Sequence, residues 1–293
     1  MDDGSCSHAV RIMECSNPDL PEDIWRQIHT LLPMRDAARV ACQSRSFLRS
    51  WRCHPNLTLN RITLGSDTNA CPKNFICIID RILKLVCYAR TEMPGSMPNL
   101  ETLVISSDYE SVDTPMLPTK FMFLKYLCIY LITDWSFCPT YDYFSLASFL
   151  DASPSLETLI LDVTQHRMKH KSVFSNSCQL RQITDHRHGC LKTVNIKGFS
   201  SAKGLIELTC YIVKNAESLE CLTLDTLCGT NRCYLENSIL KECDPMSEGI
   251  LKEAPRAVKA IRTYIEDKVP STVKLSVLEP CSRCHANGGF RLY

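Results

Sequence analysis

Residues 156–161 read LETLIL, and the same six-residue figure returns as LETLVI at 100–105, LKYLCI at 124–129, LKTVNI at 191–196 and LECLTL at 219–224. All five fit L-x-x-L-x-L, with Val or Ile standing in for some leucines. The last apolar pair of each copy is two residues apart, which is the period of a strand with one buried face. The copies begin 24, 32, 35 and 28 residues apart, longer and less even than the ~20–29 of a regular array of this type. Each interval therefore has room for a helix or an inserted loop.

Helical patterns do fill several intervals. DYFSLASFLDASP (142–154) and AKGLIELTCYIVKNAE (202–217) carry apolar residues three to four apart and end in a proline or polar break. The same helix-then-strand order is read upstream, in NFICIIDRILKLVCYAR (74–90) followed by MPNLETLVI (97–105). It is read again downstream, where PRAVKAIRTYIEDKV (255–269) precedes PSTVKLSVL (270–278), a strand whose register the sequence leaves open. With a further strand at NLTLNRITL (56–64), about six or seven units are expected, above the ~3 that such arrays need.

These repeats resemble divergent leucine-rich repeats, which implies a curved solenoid. Strand alternation then places Leu103, Ile105, Leu159, Leu161, Leu222 and Leu224 in the core. The intervening residues fall on an open, concave face: Thr102, Val104 and Ser106; Tyr126, Cys128 and Tyr130; Thr158, Ile160 and Asp162; Thr193, Asn195 and Lys197; Cys221, Thr223 and Asp225. Among them Tyr126, Tyr130, Ile160, Asp162, Asn195, Lys197, Thr223 and Asp225 are the candidate substrate contacts, led by the two tyrosines, because exposed aromatics anchor interfaces. The asparagine that usually follows the last leucine is missing.

Ahead of the repeats, LPEDIWRQIHTLLPMRDAARVACQSRSFLRSW (20–51) has a different rhythm. Pro21 suits a first helical position, Glu22 and Asp23 suit the positive end of the helix dipole, and Pro33 marks the far end. Ile24, Ile28, Leu31 and Leu32 share one face. A second helix follows from Asp36 through Val40, and Phe47, Leu48 and Trp51 extend the apolar pattern. So few residues bury too little surface to be stable alone, so this face must pack on a partner or on the rest of the chain.

The stretch LPEDIWRQIHTLLPMRDAARVACQSRSFLRSWRCHPNLTLN (20–60) resembles an F-box, in particular that of plant proteins that join it to leucine-rich repeats. The resemblance implies docking on a Skp-family adaptor, and through it a cullin, by Leu20, Pro21, Ile24, Ile28, Leu32 and Pro33. Val40 and Trp51 would then support the fold.

Other functions are disfavoured. The 33 basic and 32 acidic residues leave a formal charge of +1, no field for nucleic acid or an anionic membrane. FMFLKYLCIYLI (121–132) is too short to span a bilayer and contains Lys125. The start of the chain lacks a signal-peptide h-region, and the 18 cysteines sit largely in apolar runs, as reduced thiols do. CSRCH (281–285) has no second C-x-x-C to complete a zinc site, and the basic clusters HRMKHK (166–171) and DHRHGC (185–190) read as surface loops or a minor partner site.

No phosphate-binding or hydrolase motif is present. The expectation is therefore an α/β (α+β) chain: a flexible tail over 1–17, an F-box helical bundle over 18–56 and an irregular leucine-rich-repeat solenoid over 57–293. It would act without cofactor or metal, in the cytoplasm or nucleus, as the substrate-recognition adaptor of a ubiquitin ligase, holding an unidentified protein substrate. The alternative is a scaffold or ligand-binding solenoid whose N-terminal helices only cap the repeats.

Overall fold

The computed structural model describes residues 21–32, 36–37, 39–40, 50–51, 56–60, 63, 99–108, 120–133, 141–165, 170–175, 179–227 and 246–281. Among these residues seven strands form one sheet: β1 (Asn56–Leu59), β2 (Thr102–Asp108), β3 (Tyr126–Thr133), β4 (Thr158–Gln165), β5 (Thr193–Lys197), β6 (Cys221–Asp225) and β7 (Lys274–Leu278). They lie in chain order and every neighbouring pair is parallel. Parallel neighbours need a crossover, and sequential order means that each crossover advances the chain by one strand, as in a solenoid.

The repeat reading sets the core. All fifteen L-x-x-L-x-L positions are buried, from Leu100, Leu103 and Ile105 through Leu219, Leu222 and Leu224. Register stacks equivalent residues, so that Leu57, Leu103, Leu127, Leu159, Val194, Leu222 and Leu275 form a single file. The helices close over this face. After α1 (Glu22–Leu31), a short 3₁₀ turn (Tyr143–Leu146) runs into α2 (Ala147–Ala152), and α3 (Lys203–Asn215) and α4 (Glu248–Tyr264) follow. Leu146, Leu150 and Leu208 face Leu127, Ile129, Leu159 and Leu161 across a small shared void.

At the usual asparagine place stand, in two repeats, the fully buried Phe199 and Leu227. Apolar packing there takes over from side-chain hydrogen bonding.

Two expectations change. The last helix begins at Glu248 and not at Pro255, which lies inside it. Ser247 caps it, accepting the Ile250 N–H at 3.4 Å, and Ile250, Ala254, Ala257, Val258 and Ile261 bury one continuous face that outweighs the hydrogen bond the proline cannot make. The open register of the final strand is settled by Lys274 opposite Cys221 and Leu275 opposite Leu222. The helix expected at 74–90 lies outside the described residues.

A rim of charged residues runs along the strand starts. At the entry to successive strands the residues are Glu101, Lys125, Glu157, Lys192 and Glu220. Each backbone carbonyl accepts from the next repeat, as when the Tyr126 and Thr158 N–H groups donate to Glu101 and Lys125 at 3.0 and 2.9 Å. Their side chains alternate in charge along this rim. Lys125 lies 3.4 Å from Glu101 and Lys192 3.1 Å from Glu157. Hydrogen bonding to Glu157 holds the Lys192 ammonium above its usual range.

Candidate functional site

The sheet face opposite the helices carries every residue expected there. Tyr126, Thr158, Thr193, Cys221 and Lys274 form a row at the strand starts. Cys128, Ile160, Asn195, Thr223 and Ser276 form the next, and Tyr130, Asp162, Lys197, Asp225 and Leu278 the third, beyond which Asp108, Ile132 and Thr164 pair across the longer strands. Tyr126, Ile160, Asp162, Asn195, Lys197 and Thr223 are half-buried, Tyr130 is exposed and Asp225 is buried. Neighbouring strands are about 4.8 Å apart, so register alone makes the members of each row contact neighbours.

Electrostatics tie these residues together around β3. Cys128 is almost fully buried between the two tyrosines, and burial pushes its thiol up. A hydrogen bond to Cys128 pushes the Tyr130 phenol up to about 12. Burial, with Cys128 adding to it, raises Tyr126 as well. At neutral pH the trio is uncharged, a donor and acceptor surface with aromatic area. Asp162 is also raised by burial, an effect partly offset by Lys197 and by the Thr164 hydroxyl, which donates to it at 3.4 Å. The face presents mainly apolar and hydroxyl groups, with charged residues grouped toward the strand ends, a mixture suited to gripping a polypeptide.

The N-terminal helix has two apolar stripes. Trp25 is buried and Leu32, seven residues on, packs against the repeat core, which also takes in Ala37 and Trp51. One position round the helix, Ile24 and Ile28 stay half-exposed and Leu31 is 83% exposed. Pro21 is exposed, while Leu20 and Pro33 lie outside the described residues. Sequence periodicity had placed Leu31 and Leu32 together on one face, because a stripe read from spacing alone does not show which half the chain itself covers.

The stretch 185–190 is an exposed loop as its composition predicts, with one exception, and of 166–171 only His170 and Lys171 are described. His188 is buried, with Nε2 3.0 Å from the Tyr211 hydroxyl, and Tyr211 donates its single phenol proton to Asp151. His188 Nε2–H is therefore the donor to Tyr211. Burial lowers the His188 pKa, an effect partly countered by Asp151, and His186 stacks on the His188 ring at 5.2 Å.

The His170 side chain is buried too, with Nε2 3.2 Å from Glu253 and 3.4 Å from the Ser201 hydroxyl. A Ser-His-acid relay needs hydroxyl and carboxylate on opposite ring nitrogens. Here both face the same nitrogen, so the group reads as a structural tie. Of CSRCH, Cys281 alone is described, and it is half-buried. No helix among the described residues is long and apolar enough to cross a membrane.

No curated protein matches the chain. A family profile does, that of the plant At1g61320/AtMIF1, LRR domain, over residues 60–282. Those residues begin just after β1 and end just beyond β7, so the match covers β2 to β7, α2 to α4 and the open face of those strands. The parallel strands in chain order and the buried L-x-x-L-x-L file are what a leucine-rich repeat requires, and the chain belongs to the At1g61320/AtMIF1 leucine-rich-repeat domain family.

Proposed function

We propose that the protein is a non-catalytic substrate adaptor of a Skp-cullin-F-box ubiquitin ligase. Its N-terminal helix docks on a Skp-family protein, and its open sheet face holds a protein substrate for modification by other subunits, in the cytoplasm or nucleus. Catalysis is then a matter of tethering, which raises the effective concentration of substrate lysines at the conjugating enzyme.

The observation that carries the reading is the divided surface of α1. On a helix with the F-box spacing, Trp25 and Leu32 turn into the chain, while Ile24, Ile28 and Leu31 are left for a partner. On this geometry the adaptor contacts centre on Ile24, Ile28 and Leu31, with Leu32 as the joint to the repeats. Co-expression with a Skp-family protein tests it. Ile24→Asp with Ile28→Asp puts charge into an apolar contact and should abolish copurification at an unchanged melting temperature. Copurification of the folded double variant at wild-type yield would rule the contact out.

A second reading, that the N-terminal helices only cap the repeats, has its own support in Ala37 and Trp51, which belong to the repeat core. Because of that shared core, truncation before residue 57 destabilises the array under either reading. Copurification separates the two.

A further inference from the structure

We propose that the open face selects a partner segment bearing a lysine or arginine, seated on Tyr130 and paired with Asp162. This rests on the reading of that face as the protein-binding surface and assigns the chemistry of what it holds.

From β2 to β6, the first two rows of the face contain only hydroxyl, thiol, amide and apolar side chains. Asp162, Lys197 and Asp225 stand side by side in the third, and Asp108 follows one row on, at the end of β2. The three of the third row are not equivalent. Asp225 is turned inward, 6% exposed, and accepts the Leu227 N–H at 3.0 Å. Asp162 remains half-exposed. Among the described residues its one hydrogen-bond donor is the Thr164 hydroxyl, and no cation lies within 4.0 Å of it, although Lys197 is on the adjoining strand. A partly desolvated carboxylate without a close counter-charge is poised to gain from a cation supplied by a partner.

On the other side of Asp162 stands Tyr130, in register with it and 39% exposed. A long basic side chain laid over that ring places its alkyl stem and charge against the aromatic face while its head reaches Asp162. Lys197 bounds the site, repelling a second cation on that side. The charge pattern therefore favours a basic residue over an acidic or apolar one at this point.

The test is selection of a phage-displayed random decapeptide library on the full-length protein, in parallel with Asp162→Asn and Asp162→Lys variants whose melting curves confirm folding. Peptides from the wild-type pool should share lysine or arginine at one position and bind Asp162→Asn about tenfold more weakly, with the difference shrinking as salt is raised. On Asp162→Lys the position should change to aspartate or glutamate. If that variant does not fold, Asp162→Asn alone decides.

A wild-type pool without a shared basic position, or affinity unchanged by Asp162→Asn, overturns the proposal. In that event, peptides weakened by Tyr126→Ala leave the face as a protein-binding surface of different chemistry. Peptides indifferent to every substitution on the face remove that reading as well.

Discussion

Adjacent residues on β3 should respond oppositely to truncation, and the pair Tyr126 and Leu127 makes the test. Leu127 is fully buried between Leu103 and Leu159 in the central file. It also borders a void of about 10 Å³ shared with Leu146, Leu150 and Leu208. Leu127→Ala removes three carbons next to that void, and strands paired on both sides restrain collapse into the space. Buried Leu→Ala changes span about 2–5 kcal/mol, growing with the residual cavity, so the expected loss is about 3–5 kcal/mol.

Tyr126 stands on the other face, half-exposed, and its removal leaves a surface hollow that water fills. Tyr126→Ala should cost about 1 kcal/mol or less. Urea unfolding followed by circular dichroism measures both, with midpoints compared at equal slope. A Tyr126→Ala variant less stable than Leu127→Ala would invert the parity of β3 and remove Tyr126, Cys128 and Tyr130 from the open face.

Two further outcomes follow from close contacts on the helical side. A Cβ at Gly204 would lie 2.7 Å from Asp142 Oδ1 and 2.9 Å from the Tyr143 backbone nitrogen, so Gly204→Ala should destabilise by about 1–3 kcal/mol, read in the same urea titration. The pKa of His188 is lowered from 6.5 by burial, so the folded state favours the neutral ring. Its contribution is complete above pH 6.5 and is lost as pH falls below that value through the folded pKa. Stability measured from pH 7.5 to 5 should fall in that window, and His188→Gln should flatten the fall; an unchanged profile in the variant would refute the assignment.

The fold was legible where one repeat reports on the next. Leu159 and Leu161 are recognisable because Leu222 and Leu224 repeat them, and register turns that likeness into a stacked core. The end strands were harder to place, for a physical reason. At the first leucine position of the motif, the unit of β1 has His54 and that of β7 has Thr272, so the pattern that fixes register is incomplete at both ends.

Pro255 misled the reading of α4, since a proline near a helix start looks like its first residue until Ser247 is seen to cap an earlier turn. The histidine contacts were hidden by distance along the chain. His188 meets Tyr211, 23 residues away, and Tyr211 meets Asp151, 60 residues away. No local pattern encodes such a meeting.

The alternating rim of Glu101, Lys125, Glu157, Lys192 and Glu220 gives the array a step of two. Excising the single unit that carries Lys125 would bring Glu101 beside Glu157, and excising the unit of Glu157 would bring Lys125 beside Lys192. Removing two consecutive units restores opposite neighbours at the junction. Each exposed pair contributes only about 0–1 kcal/mol, so the rim biases such events without forbidding them. Internal duplications or deletions in a gene for this array are therefore tolerated best in even numbers, and an odd change should be followed by a charge reversal at the joint.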